Sequence, residues 1–189
     1  ATFAIPKNLH AVERNRRLAA AALDYILDTP LDYGIHATPL QADWLPAVPY
    51  VVLLTATSRT DKLWPEAHWL TLAADLNARG LSCILPAGSE AERSRAAQLA
   101  SQLKLAVAAP TLQLDALAAL LMGARAVIGV DTGLTHLAAA LQAPVVAVFC
   151  GSDPQLTGVH TEANAINLGG IGAPPNPVAV LTAIESLLS

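Results

Sequence analysis

Three polar clusters in this chain carry groups suited to a polar ligand, two of them to an anion. The first is Asp131-Thr132-Gly133-Leu134-Thr135-His136, which follows the apolar run Val127-Ile128-Gly129-Val130 and leads straight into Leu137-Ala138-Ala139-Ala140-Leu141. This reads as a strand delivering a polar loop to a helix N-terminus. The free N–H groups of such a terminus favour negative charge, so a phosphorylated ligand is the first expectation. Asp131 is also a suitable helix cap, with Gly133 a tolerable early helical residue. The two roles are compatible, because a cap can organise a loop whose amides hold a phosphate.

The second cluster is Thr55-Ala56-Thr57-Ser58-Arg59-Thr60-Asp61-Lys62, ahead of Trp64-Pro65. Hydroxyls and amides at Thr57 and Ser58 can hold phosphate oxygens, and Lys62 supplies a compact positive charge whose charge-assisted bonds are roughly twice as strong as neutral ones. The alternative for Lys62 is an exposed loop lysine. The third cluster is Pro86-Ala87-Gly88-Ser89-Glu90-Ala91-Glu92. An acid just past a second strand is where dinucleotide folds bind ribose hydroxyls. Glu90 and Glu92 equally suit the first turn of a helix, where negative charge is favourable.

His136 lies one helical turn beyond Thr132, so the two share a face, and His136 offers a phosphate a hydrogen bond or partial positive charge. Its alternative is a satisfied, partly buried helix histidine. Asp131 beside His136 invites a catalytic pair, but no serine or cysteine sits in a nucleophile elbow, so no triad is expected.

The elements that position these clusters alternate. Strand-like runs at 50–55, 81–85, 104–108, 124–130, 144–149 and 165–168 are separated by helical patterns at 65–79, 89–103, 112–122 and 134–141, and a helix at 177–188 closes the chain. Pro65 suits a first helical position and Gly80 a helix stop. This rhythm predicts a parallel sheet with helices on both faces, and continuously apolar strands fit a sheet covered on both sides. The expected fold is α/β and Rossmann-like, without sequence repeats. Upstream, residues 9–28 read as a helix whose Arg14, Arg16 and Arg17 form a solvated face, stopping before Thr29-Pro30. Residues 31–49 read as a linker whose Trp44 and Leu45 pack on the domain edge. The division is therefore 1–49, an N-terminal helix and interdomain linker, and 50–189, a Rossmann-like ligand-binding domain.

Composition narrows the classes. The chain has 189 residues, 53% of them hydrophobic, enough for one sizeable core. A net charge of −4 with 14% charged residues lacks the basic footprint of a nucleic-acid binder. Asp115, Arg125, Gln142 and Pro144 interrupt the longest apolar stretches, leaving no run of the roughly 20 residues that a bilayer span requires. No secretory signal opens the chain, and the first residue is Ala1 with Met122 the sole methionine, so a piece of a longer polypeptide is expected. Cys83 and Cys150 read as structural thiols in a reducing cytoplasm. The absence of G-x-G-x-x-G after the first strand and of G-x-x-x-x-G-K-[ST] argues against dinucleotide oxidoreductases and P-loop enzymes. His10, His36, His68, His136 and His160 lack metal-ligand spacing, so no metal is expected.

Thr57-Ser58-Arg59-Thr60-Asp61-Lys62 followed by Trp64-Pro65 and His68-Trp69, together with Asp131-Thr132-Gly133-Leu134-Thr135-His136-Leu137 and Ala138-Ala139-Ala140-Leu141, resembles the lipopolysaccharide heptosyltransferases of glycosyltransferase family 9. His10-Ala11-Val12-Glu13-Arg14-Asn15-Arg16 is similar to the segment leading into their second domain, and the likeness spans nearly the whole chain. The resemblance implies a GT-B fold of two Rossmann-like domains, with this chain matching the C-terminal, donor-binding half. It implies ADP-L-glycero-D-manno-heptose as donor with no further cofactor. The acceptor would be the inner-core 3-deoxy-manno-octulosonic acid of lipid A, with inversion at the anomeric carbon.

By motif position, the resemblance places Thr57, Ser58 and Lys62 on the diphosphate and heptose, and Asp131, Thr132, Gly133, Leu134 and His136 on the diphosphate and sugar. Lys62 and Asp131 would stabilise the leaving group and sugar. Spacing favours Glu92 as the ribose ligand and local motif shape favours Glu90. Leu112 stands where the family places an adenine-lining apolar residue, often methionine. The family's catalytic base belongs to an N-terminal acceptor domain that nothing in residues 1–40 resembles, so the chain alone is expected to bind donor without transferring. The implied location is cytoplasmic, peripheral at the inner face of the bacterial inner membrane. Two other readings are a non-catalytic adenine-nucleotide module and another sugar-nucleotide enzyme of the same architecture.

Overall fold

Six runs rich in Val, Ile, Leu and Ala form the strands β1 (Tyr50–Leu54), β2 (Ser82–Leu85), β3 (Ala106–Ala108), β4 (Ala126–Val130), β5 (Val145–Phe149) and β6 (Ala165–Gly169) of a computed structural model that describes residues 2–161 and 164–189. The helices are α1 (Ala11–Leu23), α2 (Glu66–Ala78), α3 (Glu90–Ser101), α4 (Leu114–Met122), α5 (Gly133–Ala140), α6 (Pro154–Thr157) and α7 (Pro177–Leu188). All pairings are parallel, in the order β3-β2-β1-β4-β5-β6. The chain winds outward from β1 to β3, then returns to β4 on the other side of β1. The connections therefore diverge between β1 and β4, which leaves a crevice at their carboxyl ends, the usual ligand site in this architecture.

Every residue of β1, β4 and β5 is buried, as expected of strands covered on both faces. Val51, Leu53, Ile128, Val130 and Val146 face Trp69, Leu72, Leu76, Leu99 and Ile184. Val52, Leu54, Val127 and Phe149 face Leu120, Leu121, Ala138 and Ala139 on the opposite side, where Trp44 and Leu45 also pack as expected. Gly129 sits at the β1–β4 boundary, where a Cβ would overlap the hydroxyl of Thr135 and come within 3.0 Å of Leu54 Cβ.

Several boundaries differ from expectation. α1 ends at Leu23 rather than at residue 28, because Asp24 turns left-handed (φ 54°) and its N–H closes on Ala20 O. Asp is among the few residues that adopt that conformation readily. Leu23 and Ile26 are largely exposed, so no packing sustains a longer helix. Pro65 is the N-cap of α2, with extended ψ of 138°, rather than its first helical residue. α4 begins at Leu114, which leaves Leu112 in the loop before it. α6, a single turn capped by the Asp153 side chain, was not foreseen from the sequence.

Candidate functional site

The loops that leave β1 and β4 meet at the crevice. After β1, residues 55–64 run through a single 3-10 turn, Thr60–Lys62, into Trp64. Trp64 is fully buried, packs edge-on to Trp69 at 4.8 Å between centroids, and donates its indole N–H to Pro175 O at 2.9 Å. The Trp64-Pro65 and His68-Trp69 motifs thus anchor the loop that carries Lys62. Arg59 pairs with Asp61 on the solvent side of the turn. Gly151, after β5, passes so close that a Cβ there would lie 2.6 Å from Asp61 O, and this approach brings the next residue, Ser152, into the crevice.

Asp131 is the hub. Lys62 Nζ lies 2.7 Å from its Oδ2, Ser152 Oγ donates to the same oxygen at 2.5 Å, and His136 Nε2 stands 3.4 Å from Oδ1. Thr57 Oγ1 donates to the backbone carbonyl of Asp131 at 3.2 Å. Burial opposes ionisation of Asp131, but the bonds from His136, Lys62 and Ser152, with the charge of Lys62, outweigh it and hold the carboxyl well below the usual range.

This geometry removes two of the simpler roles. Asp131 does not cap α5: the N-cap is Thr132, without a side-chain capping bond, since the Asp131 carboxylate is engaged elsewhere. Lys62 is not a free loop lysine, its side chain being 19% exposed and paired. His136 keeps the description of a partly buried helix histidine, its side chain 41% exposed and its Nε2 facing Asp131 Oδ1.

Beyond Thr57 and Thr132 opens a cavity of about 350 Å³. Leu54, Pro86, Leu112, Leu117 and Leu134 give it an apolar wall, and Thr57, Ser58, Thr111, Thr132 and Glu92 line it with polar groups. α5 starts at this wall, with Thr132 and Leu134 in the lining, and the first N–H groups of a helix lack carbonyl partners within it. A Cβ on Gly133 would meet nothing within 4 Å.

The two acids of the third cluster separate. Glu92 lines the cavity, and its Oε2 accepts the N–H groups of Gly88 and Ser89, both at 3.0 Å, while Ser89 Oγ accepts Glu92 N–H at 3.2 Å, a reciprocal cap of α3. The Ser89 N–H chiefly holds the Glu92 carboxyl below its ordinary range, against a smaller opposing effect of burial, with Gly88 assisting. Glu90 starts the helix exposed and does not line the cavity.

The structure therefore brings together Thr57, Ser58, Lys62, Glu92, Leu112, Asp131, Thr132, Leu134 and His136, and leaves Glu90 aside; Gly133, between Thr132 and Leu134, is exposed and does not line the cavity. Sequence reasoning missed Ser152. Its signal was its place: Gly151-Ser152-Asp153 is another small polar loop just past a strand, and that strand neighbours β4. Nor does the spacing of the histidines show that the His10 and His160 rings stack at 4.5 Å and that both line one groove with His136. Among the described residues no three His, Cys, Asp or Glu side chains are grouped as metal ligands. Cys83 and Cys150 are both unbridged and buried, and burial pushes the Cys83 thiol up to about 12.

The profile of glycosyltransferase family 9 (heptosyltransferase) matches residues 1–180. The chain is 49% identical over 152 residues to lipopolysaccharide heptosyltransferase 1 of Pseudomonas aeruginosa, covering 80% of this chain and 42% of that protein. It is 39% identical over 196 residues to lipopolysaccharide heptosyltransferase 1 of Escherichia coli K12, covering 97% and 58%. Among solved structures, E. coli heptosyltransferase WaaC with ADP superposes with a TM-score of 0.84 at 36% identity, over 98% of this chain and 59% of that one. WaaC with ADP-2-deoxy-2-fluoro heptose gives 0.78 at 35% identity, over 98% and 58%. The chain spans about half the length of the curated relatives it matches.

Proposed function

Because the chain belongs to glycosyltransferase family 9, we propose that it is the donor-binding half of a lipopolysaccharide heptosyltransferase and holds ADP-heptose in the β1–β4 crevice. The observation that carries this reading is the Lys62–Asp131–His136 cluster standing just beyond the Thr57–Thr132 rim of a cavity with an apolar wall. An apolar wall, a carboxylate, a cation beside helix amides and a carboxylate–imidazole pair follow one another as do base, ribose, diphosphate and sugar in the donor. Two solved structures of one relative, E. coli WaaC at 35–36% identity, hold ADP and ADP-2-deoxy-2-fluoro heptose.

In this reading Leu112 and Leu134 face the adenine and Glu92 accepts the ribose hydroxyls. Thr57, Ser58, Lys62, Thr132 and Gly133 hold the diphosphate, while Asp131 and His136 orient the heptose. The acceptor hydroxyl attacks the anomeric carbon opposite ADP, the bond from that carbon to the β-phosphate oxygen breaks, and negative charge builds on the departing nucleotide. Lys62 and the α5 amides stabilise that charge, so no further cofactor is called for. Asp131 is a poor proton acceptor because its carboxyl is held so far below the usual range. The base that deprotonates the acceptor needs a higher pKa and is assigned to an N-terminal acceptor domain. The acceptor is the inner-core octulosonic acid of lipid A, and the work takes place in the cytoplasm at the inner face of the inner membrane. Support for that location is the lipid-linked acceptor, together with the finding that no helix among the described residues is long and apolar enough to cross a membrane.

Calorimetry with ADP, ADP-heptose and UDP tests the reading. ADP and ADP-heptose are expected to bind and UDP to bind more weakly. Preference for UDP, or no ADP binding at millimolar concentration, would defeat it.

A further inference from the structure

A second groove, of about 330 Å³, lies further along α5, and His136 belongs to both places. Its Nε2 faces Asp131, and its ring lines the groove with His10, Asn15, Tyr33, Ala139 and His160. Thr132, His136 and Ala139 stand at i, i+4 and i+7 of one helix, so a single face of α5 runs from the donor cavity through His136 into the groove.

The chemistry of the lining selects a ligand class. No Lys, Arg, Asp or Glu lines the groove. The nearby Glu13 carboxylate is engaged by Arg16 at 3.2 Å, by Arg17 at 3.9 Å and by His160 at 3.6 Å. Imidazoles, a phenol ring, an amide and a hydroxyl among short apolar surfaces suit the hydroxyls and C–H faces of a sugar, whereas a phosphate would need a cation. His10 is already committed: its Nε2 donates to Gly158 O at 3.0 Å, its Nδ1 accepts Val12 N–H at 3.2 Å, and its ring stacks on His160 with 16° between the planes. It therefore positions His160 and leaves the contacts to others. Asn15 is exposed, and among the described residues its side-chain amide has no partner.

We propose that this groove is an acceptor-side subsite, in which Asn15 and His160 hold the hydroxyl-bearing edge of the acceptor sugar beyond the donor heptose. The proposal rests on the donor reading above. The nucleophile of an inverting transfer approaches from the side away from the diphosphate, and the groove lies further down α5 from the end that holds it. The uncharged lining takes the ring hydroxyls of the acceptor and not its carboxylate.

The test is steady-state transfer kinetics with the intact protein that carries this chain, using octulosonic acid-substituted lipid A as acceptor and ADP-heptose as donor. Asn15→Ala and His160→Gln are each expected to raise the acceptor KM by roughly three- to tenfold, the worth of one or two neutral hydrogen bonds. The donor KM and the calorimetric Kd for ADP should stay as in the wild type. Asn15 is exposed on α1, so its truncation leaves the fold intact should His160→Gln fail to accumulate. An unchanged acceptor KM in Asn15→Ala while ADP still binds overturns the subsite. Absence of ADP binding in the wild-type protein instead removes the donor reading, and the subsite with it.

Discussion

Lys62 Nζ and Asp131 Oδ2 sit 2.7 Å apart, joining the loop after β1 to the loop after β4 across the point where the chain reverses its direction of winding. Each residue alone could serve a nucleotide sugar, but the pair also sets them in competition. Asp131 is the counter-ion of Lys62, and in the proposed donor complex it becomes a like charge close to the diphosphate.

Two substitutions should therefore move ADP affinity in opposite directions. Lys62→Met removes the cation and should weaken ADP binding by about 1.5–3 kcal/mol, the range of a hydrogen bond to a charged group. Asp131→Asn frees Lys62 and removes the competing charge, so ADP should bind more tightly than to the wild type. Calorimetry on both variants decides the matter. Weaker ADP binding in Asp131→Asn would show that the carboxylate supports the diphosphate rather than opposing it.

Glu92 and Glu90 provide a matched comparison within one helical turn. Glu92→Gln should weaken ADP binding, because the carboxylate lining the cavity is lost, and should leave thermal stability nearly unchanged, because the amide oxygen of glutamine still accepts the Gly88 and Ser89 N–H groups. Glu90→Gln should alter neither. The reverse pattern in ADP titrations would return the ribose contact to Glu90.

Much of this was legible in the sequence because the signals are local. A strand run ending at Val130, followed by Asp131-Thr132-Gly133, announces its loop and helix without help from distant residues. Lys62 beside Thr57 and Ser58 is equally compact, and the topology then places the two loops together. What the sequence concealed depends on pairing over distance. Ser152 reaches Asp131 only because β5 lies next to β4 and Gly151 slips past Asp61. His10 lies 148 residues from Gly158 along the chain and further still from His160, and only the return of the chain after β5 stacks His160 on His10. The end of α1 was misjudged because an apolar pattern continued through Leu23 and Ile26 with no surface to cover them.

Gly129 is predicted to be intolerant of any side chain. The Thr135 hydroxyl fills the space where its Cβ would stand, donating to Val130 O at 2.7 Å. Gly129→Ala should cost about 1–3 kcal/mol, as overpacking of a closed core does. Thr135→Ala in the same chain should restore part of the loss, leaving the contact with Leu54. Chemical denaturation of the two single variants and the double variant gives the coupling, and strict additivity would place the strain elsewhere.

The attachment of α1 should loosen in acid. Burial lowers the pKa of His10 most, the bond to Gly158 O opposes that shift, and His160 and His136 add to it. The folded chain thus favours neutral His10, whose Nδ1 must stay unprotonated to accept Val12 N–H. Above about pH 6.5 the ring is neutral whether or not the chain is folded, and this contribution is fully present. As the pH falls below that value the unfolded chain takes up the proton first, and stability is lost progressively as the pH passes through the lower folded pKa. Hydrogen exchange of the α1 amides, corrected for intrinsic rates, should therefore show weaker protection at about pH 5 than at about pH 7.5. His10→Asn keeps a capping side chain and removes the titration, so its protection should change much less between the two pH values. An equal loss of protection in wild type and variant would assign the acid sensitivity to another group.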